Sequence, residues 1–293
     1  MTRFSVVIPT MNRIELLRQT LESLRSCDPP PDEVIVIDAD PGGLAREVVL
    51  EFQDVLRPAV RYLHTTPSLT NQRNIGIAKA TGDVVVFIDD DVELVPRLFG
   101  MLDEAYSGPN VVGATGQVVE PHAHRRVGMR SAVRRFLPGG GAEGSFTRYG
   151  YPRYIQDVER PRDVEYMMGC FMSARREAAA QVGFDERLGG YALAEDEDFS
   201  YRLSRLGRIV YLPEARVVHK KLGYSSKDSR EFARLVVRNR AYLFRKNFDR
   251  GLLARVQFGF LILMLLVHRL VNRDWRAARG VVDGALEVGR RRR

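Results

Sequence analysis

The chain has 293 residues, of which 45% are hydrophobic and 28% are charged. This composition excludes a disordered chain and supports one large α/β domain with an appendage, or two modest domains. The net charge of +8 admits an anionic membrane surface or nucleic acid as partner, but no zinc-finger spacing or aromatic–basic motif supports nucleic acid. The two isolated cysteines, Cys27 and Cys170, indicate no disulfide framework and fit a reducing cytoplasm.

The first part of the chain alternates between strand and helix patterns. Apolar runs predict strands over residues 4–8, 33–37, 60–63 and 83–88, and helical spacing predicts helices over 16–24, 44–52 and 71–80. Asn12 is the candidate cap of the first helix. The first apolar run is too short for the core of a signal peptide. The order of these elements predicts an α/β fold with a doubly wound, mostly parallel sheet.

The middle of the chain is less regular. Residues 111–119 and 209–212 are predicted strands, and residues 175–182 and 194–206 are predicted helices, with regular patterning over 164–173. Residues 121–162 are rich in Arg, Gly and Pro. A long segment of this kind is predicted to be a mobile surface loop, such as a lid or an acceptor loop.

The tail, residues 223–293, is predicted to be helical. Residues 238–246 have the pattern of a basic amphipathic helix, and an apolar run follows over 256–267. This run is shorter than the about 20 residues that a membrane span needs. It predicts either an interfacial helix on an anionic membrane or a helix packed on protein, and the sequence leaves both open.

Three consecutive acids follow the predicted strand at 83–88: Asp89, Asp90 and Asp91. Because side chains alternate along a strand, Asp89 and Asp91 are expected on one side and Asp90 on the other. Two carboxylates that lie so near each other suit a hard divalent cation such as Mg²⁺ or Mn²⁺. Ligands of open α/β sheets bind beyond the carboxyl ends of strands. The triplet therefore predicts a cation site, or else a solvated acidic turn.

An ordered set of motifs resembles the family 2 nucleotide-sugar glycosyltransferases, which are inverting enzymes with the A-type fold. The motifs are Val6-Val7-Ile8-Pro9-Thr10-Met11-Asn12-Arg13, Val36-Ile37-Asp38, Asn71-Gln72-Arg73-Asn74-Ile75-Gly76, Asp89-Asp90-Asp91, Gly183-Phe184-Asp185-Glu186, Glu195-Asp196-Glu197-Asp198-Phe199 and Val217-Val218-His219. The resemblance covers about residues 4–222. It implies a catalytic domain over residues 1–222, followed by the basic and apolar helical tail.

The resemblance also implies roles for individual residues. Asp196 is the expected general base, with Glu195 beside it; four acids at a helix start also suit the helix dipole. The expected metal ligands are Asp89, Asp91 and His219. The expected donor-binding residues are Thr10, Arg13, Asp38, Asp40, Arg73, Asp89 and Asp90. Gly169 and Cys170 are expected either on the acceptor side or in a core strand.

One position departs from the family pattern. Many relatives carry two adjacent acids at the end of the second strand, whereas this chain has Asp38-Ala39-Asp40. The contact with the nucleotide base is therefore expected from Asp38, from Asp40 or from the backbone, and the sequence leaves the donor open.

The resulting prediction is a metal-dependent inverting glycosyltransferase that uses Mn²⁺ or Mg²⁺. It would move one sugar from a nucleoside-diphosphate sugar to a glycan or lipid-linked acceptor in envelope or polysaccharide synthesis. Single-sugar transfer is expected because Trp275 lies outside the Gln-x-x-Arg-Trp signature of processive relatives. The alternatives are a nucleotidyltransferase, although no Gly-rich loop follows the first strand, and a non-catalytic nucleotide-binding protein at a membrane surface. The expected location is the cytoplasm or the inner face of the plasma membrane.

Overall fold

The computed structural model describes residues 1–56, 59–121, 141–155, 158–188, 192–220 and 228–290. The chain divides into two compact units. Unit 1 comprises Met1–His122 and Ile155–Lys221, and unit 2 comprises Ala123–Tyr154 and Leu222–Arg293. The described residues 141–154 therefore belong with the tail. Part of the expected surface loop, residues 122–140, lies outside the described residues.

The described residues of unit 1 form one sheet and the helices on its faces. The strands are β1 (Phe4–Thr10), β2 (Glu33–Asp38), β3 (Ala59–His64), β4 (Val84–Ile88), β5 (Val92–Leu94), β6 (Val111–Val119), β7 (Arg162–Val164), β8 (Phe171–Arg175) and β9 (Arg208–His219). The helices are α1 (Ile14–Arg25), α2 (Ala45–Gln53), α3 (Leu69–Lys79), α4 (Leu98–Tyr106), α5 (Arg176–Val182) and α6 (Glu195–Leu203), with a short 3₁₀ turn at Glu186–Leu188.

The strand order is β3-β2-β1-β4-β8-β6-β9-β5, with β7 paired to β9. Strands β1 to β4 pair in parallel, as the βαβα order predicted. Strand β8 is antiparallel to both β4 and β6, and β5 is antiparallel to β9. The predicted α/β class is confirmed, and the second half of the sheet adds antiparallel pairs to it.

The sheet has a hydrophobic core on each face. Every residue of β1, β2 and β4 is buried, as expected for strands covered on both sides. Alternate residues such as Val6 and Val7 enter different cores. One core contains side chains of α1, α2 and α4, and the other contains side chains of α3, α5 and α6. Helix α3 lies so close to β1 that a Cβ at Gly76 would be 2.3 Å from Val7 Cγ1.

Several local predictions were wrong. Asn12 is not the cap of α1: it has a φ of 57° in the preceding turn, and Arg13 holds the cap position. The last predicted strand is much longer, because β9 has 12 residues and is held by β5, β6 and β7. Strand β5 and helix α4 were not predicted, since the first has three residues and the second lacks strong start signals.

Unit 2 contains three described helices: α7 (Ser229–Asn247), α8 (Leu252–Val271) and α9 (Trp275–Arg290). Phe244 of α7 and Phe258 of α8 stack with ring centroids 4.8 Å apart. Ion pairs join Arg230 to Asp283 and Arg234 to Glu287. Helix α8 has 20 residues and is long and apolar enough to cross a membrane. The apolar helix is therefore longer than the run predicted at 256–267.

Candidate active site

Strand pairing brings His219 to the three acids. Asp89, Asp90 and Asp91 connect β4 to β5, and β5 pairs with the end of β9, so that Val92 lies opposite His219. The Lys220 backbone N–H donates to the Asp91 carbonyl at 2.8 Å. As a result His219 Nε2 lies 3.0 Å from Asp91 Oδ1. No sequence pattern links these positions; the antiparallel pairing of β5 with β9 does.

Asp89, Asp91 and His219 form a group that could hold a metal ion. One ligand atom from each lies within 4.8 Å of the others, which confirms that Asp89 and Asp91 face the same side. The ion pair of Asp91 with His219 is close but is not aligned as a hydrogen bond. Asp91 Oδ1 and His219 Nδ1 are buried and have no hydrogen-bond partner among the described residues. Two carboxylates and, once deprotonated, an imidazole nitrogen fit Mn²⁺ or Mg²⁺.

The electrostatics of this group are tightly coupled. Burial lowers the pKa of His219, but contacts with Asp91, Cys170 and Glu120 outweigh it and raise the pKa to about 12. Burial also raises the pKa of Asp89, against the opposing charge of Arg73. The imidazolium thus balances the carboxylates. A divalent cation bound to the same atoms would release that proton.

Asp90 is not part of this group. Its carboxylate accepts hydrogen bonds from Thr10 Oγ1 at 2.7 Å and from Arg13 Nη1 at 3.0 Å. Burial raises the Asp90 pKa to about 6, against these two contacts. The same Arg13 nitrogen lies 3.0 Å from Asp91 Oδ2. Thr10 and Arg13 therefore bind the acidic triplet, and their predicted contacts with the donor remain predictions.

Arg73 is a buried residue beside the acidic side chains of the site. Its guanidinium is 1% exposed and donates to Glu195 Oε1 at 2.7 Å, to Asp89 Oδ1 at 3.2 Å and to the Gly169 carbonyl at 2.8 Å. It also lies over the Phe184 ring, 5.3 Å from the centroid. Arg73 is thus a buried link between two acidic motifs, and its predicted contact with the donor remains a prediction.

Helix α6 presents the expected base. Asp196 Oδ2 accepts hydrogen bonds from Tyr166 Oη and from the Gly169 N–H, each at 3.0 Å, and the side chain stays partly exposed. Burial, with a contribution from Asp196, raises the pKa of Glu195 to about 8, and Arg73 opposes the rise. Ala194, just before the helix, has a left-handed φ of 71°, a strained conformation of the kind found at functional sites.

Gly169 lies between the two acidic motifs. Its N–H binds Asp196 and its carbonyl binds Arg73. A Cβ at this position would lie 3.3 Å from both Asp196 Oδ2 and Glu195 Oε1, so a larger residue would push on both carboxylates. Cys170 is buried in the core and its carbonyl accepts from the Asp89 N–H. Cys170 also contacts His219, and the predicted acceptor-side role of Gly169 and Cys170 remains a prediction.

Asp38 and Asp40 bind their own turn. Asp38 is fully buried and accepts from the N–H groups of Asp40 and Ala45 and from Tyr62 Oη. Asp40 accepts from the Gly42 N–H at 2.7 Å. Both carboxylates therefore stabilise the loop between β2 and α2. Their predicted contact with a nucleotide base remains a prediction.

Four further residues belong to the site and were not predicted. Tyr166 binds the expected base, and Glu120 lies 3.7 Å from His219 Nδ1, where it would orient the imidazole. Gln72 donates to the carbonyls of Thr10 and Ile37. Asn74 bonds both backbone groups of Phe184. The motif containing Gln72 and Asn74 was visible in the sequence, whereas Tyr166 and Glu120 carried no signal.

A small cavity lies beside the expected base. It has a volume of about 70 Å³, and one of its lining residues is Tyr166, which donates a hydrogen bond to Asp196. Aromatic, apolar and uncharged polar residues line it: Thr115, Gly116, Gln117, Val118, Ile155, Tyr166, Met168 and Tyr211.

Carboxylates, a histidine and a buried arginine thus come together at one edge of the mixed sheet, where they could hold a metal ion. The sequence profile of glycosyl transferase family 2 matches residues 5–183, more than half of the chain, and the chain belongs to this family. The family recognised from the motifs is confirmed.

The curated relatives of this chain are also named as glycosyltransferases. The chain is 29% identical over 221 residues to the amylovoran biosynthesis glycosyltransferase AmsB of Erwinia amylovora, covering 70% of this chain and 64% of that protein. It is 28% identical over 232 residues to validoxylamine A glucosyltransferase of Streptomyces hygroscopicus subsp. limoneus, covering 69% of this chain and 48% of that protein. The chain thus spans less than two thirds of either. It is also 28% identical over 248 residues to the glucosyl-dolichyl phosphate glucuronosyltransferase of Haloferax volcanii, covering 81% and 74%.

Two solved structures show the fold. The mannosyltransferase PcManGT from Pyrobaculum calidifontis, in complex with GDP-Man and Mn²⁺, has a TM-score of 0.62 at 15% identity and covers 98% of this chain and 87% of its own. Staphylococcus aureus TarS 1–349, in complex with UDP-GlcNAc, has a TM-score of 0.58 at 18% identity and covers 98% and 92%. The A-type glycosyltransferase fold is confirmed.

Proposed function

We propose that unit 1 is the catalytic domain of a metal-dependent inverting glycosyltransferase that moves one sugar from a nucleoside-diphosphate sugar to an acceptor hydroxyl. The observation that carries the proposal is the grouping of Asp89, Asp91 and His219 within 4.8 Å at the sheet edge where ligands bind. Membership of glycosyl transferase family 2 favours glycosyl transfer over the two alternatives, nucleotidyl transfer and binding without catalysis.

The donor side would be built on the acidic triplet. Asp89, Asp91 and His219 would hold Mn²⁺ or Mg²⁺. The cation would supply positive charge to offset the negative charge that grows on the leaving diphosphate. Arg13 binds Asp90 and Asp91 and would keep both carboxylates in place. The GDP-Man and UDP-GlcNAc complexes of the structural neighbours support a nucleotide-sugar donor.

The acceptor side would be built on Asp196. Its carboxylate would take the proton of the acceptor hydroxyl as that oxygen attacks the anomeric carbon. Tyr166 and Gly169 both donate to Asp196 Oδ2, and the Glu197 N–H donates to Oδ1, so that three hydrogen bonds fix the carboxylate. The adjoining cavity, with Gln117 and Tyr211 in its lining, offers polar and aromatic groups to an acceptor.

The acceptor class is proposed from the relatives. One is named for amylovoran biosynthesis and another for a glucosyl-dolichyl phosphate substrate. We therefore propose a glycan or lipid-linked acceptor in envelope or polysaccharide synthesis, with the protein at the inner face of the plasma membrane. The two buried, unpaired cysteines are compatible with the reducing cytoplasm.

The experiment is a hydrolysis screen of UDP- and GDP-sugars with Mn²⁺ or Mg²⁺, scored by release of nucleoside diphosphate. Chelator should abolish release, and Asp91→Asn should lower it by about 100-fold or more, as loss of a key electrostatic group does. Asp163→Asn is the matched control, because Asp163 is an exposed acid paired with Arg208. Full activity in chelator would refute the metal role. Release of nucleoside monophosphate and sugar 1-phosphate would indicate nucleotidyl transfer.

A further inference from the structure

Helix α8 of unit 2 exposes a continuous apolar stripe. Eight large apolar side chains are exposed along its whole length: Leu252, Leu253, Val256, Phe260, Leu263, Val267, Leu270 and Val271. At about 100° of rotation per residue they fall within a sector of about 100°. An apolar stripe of this width normally faces the core of a protein. Here it faces outwards and extends about 28 Å, at 1.5 Å per residue.

The opposite side of α8 is already covered. Ala254, Phe258 and Leu261 are buried in a cluster with Phe244 of α7, and Ile262 and Leu265 pack against the cluster that contains Val281 of α9. The neighbouring helices α7 and α9 are charged and joined by ion pairs. Crossing a bilayer would expose these charges to lipid or break the packing of α8. The helix is therefore suited to lie along a surface.

The positive charge around α8 favours an anionic surface as its partner. Residues 228–293 contain sixteen Arg and Lys and six Asp and Glu, a net charge of +10, whereas the whole chain has +8. Arg250 and Arg255 lie at the start of α8, and Arg269 and Arg273 lie at its end. Trp275, which follows, is 66% exposed, and tryptophan favours membrane interfaces. Pairing with a second copy would bring two strongly basic surfaces together, which disfavours a dimer.

We propose that the exposed stripe of α8 docks the protein on an anionic lipid membrane, with the apolar side chains inserted and the flanking arginines at the headgroups. The physical basis is burial of apolar area together with attraction between Arg and anionic lipid. This surface adds to the function proposed above: it would hold the enzyme where a lipid-linked acceptor is found. Its own test does not depend on the transfer reaction.

The test is co-sedimentation of the full chain with vesicles of phosphatidylcholine alone or with about 30% phosphatidylglycerol. The stripe variant is Val256→Glu with Leu263→Glu, at positions 62% and 53% exposed. The matched control is Leu50→Glu, on α2 of unit 1 and 49% exposed. All three sites are exposed, so the variants should fold, and far-UV circular dichroism checks this.

The wild type and Leu50→Glu should bind the anionic vesicles, and more weakly as salt is raised. The stripe variant should partition about tenfold or more weakly, because two charges enter the inserted face. Equal binding by the stripe variant, or no binding by the wild type at low salt, would overturn the proposal. So would a lipid-free dimer in ultracentrifugation that the stripe variant dissociates, which would assign the stripe to a second copy. Nucleotide-sugar hydrolysis is measured on the same samples: vesicle binding without any hydrolysis would count against the proposed function alone.

Discussion

Replacing Arg73 tests the buried electrostatic link between Glu195 and Asp89 in unit 1. The guanidinium is 1% exposed and the side chains of its partners Glu195 and Asp89 are 9% and 30% exposed. Arg73→Met would leave both carboxylates, and the Gly169 carbonyl, without their donor. Above about pH 8, where Glu195 is ionised, removing one partner of a buried ion pair costs about 3–5 kcal/mol, because the remaining charge stays buried and uncompensated. We expect Arg73→Met to lower the free energy of unfolding of unit 1 by this amount.

The assay is urea unfolding followed by far-UV circular dichroism, with peptide-level hydrogen exchange over β1 and β4. Fluorescence is unsuitable because the single tryptophan, Trp275, lies in unit 2. Arg18→Met is the matched control: Arg18 is paired with Glu51 at the surface, where an ion pair contributes little. A loss for Arg73→Met no larger than for Arg18→Met would refute the reasoning.

A second variant separates charge from geometry. Arg73→Lys keeps the cation, but a single ammonium does not reproduce the planar fork that reaches Glu195, Asp89 and Gly169 together. We expect Arg73→Lys to recover part of the lost stability and to lower kcat more than it raises KM. Unchanged kcat in a stable Arg73→Lys protein would show that the link has no role in positioning the site.

Three further predictions concern the acids and the glycine. Asp196→Asn should lower kcat and leave donor affinity nearly unchanged, because the lost group acts in the transition state, whereas Glu195→Gln should lower kcat less; collapse of donor affinity with kcat retained would move Asp196 to the donor site. Gly169→Ala should lower kcat because its Cβ would lie 3.3 Å from Asp196 Oδ2, and Gly259→Ala, with nothing within 4 Å, should have no effect on kcat. Burial raises the pKa of Glu195 from the ordinary 4.5 to about 8, so this group stabilises the fold below about pH 4.5 and the stabilisation is lost as the pH rises towards 8. Urea unfolding of Glu195→Gln should show a flatter pH dependence over this interval, and an unchanged dependence would contradict the shift.

The sequence by itself determined the local features of unit 1. The apolar runs fixed the strands β1, β2 and β4 because a strand buried on both faces must be apolar throughout. The alternation of side chains placed Asp89 and Asp91 together, and their ligand atoms lie within 4.8 Å of each other. The motif order identified the family, since each motif is local and depends on a few neighbouring residues.

Tertiary structure decided everything that depends on distant pairing. His219 reaches Asp91 only because β9 continues to pair with β5, and a short strand such as β5 has too few residues to signal itself. Arg73 occupies one position on a helix, and its burial depends on β4 and α6, which come later in the chain. Helix α8 carries apolar side chains on both its covered and its open face, so their spacing does not distinguish the two faces. Which face of α8 is buried depends on its packing against α7 and α9. A side chain is buried only when another segment covers it, so the sequence of α8 alone does not show which face that is.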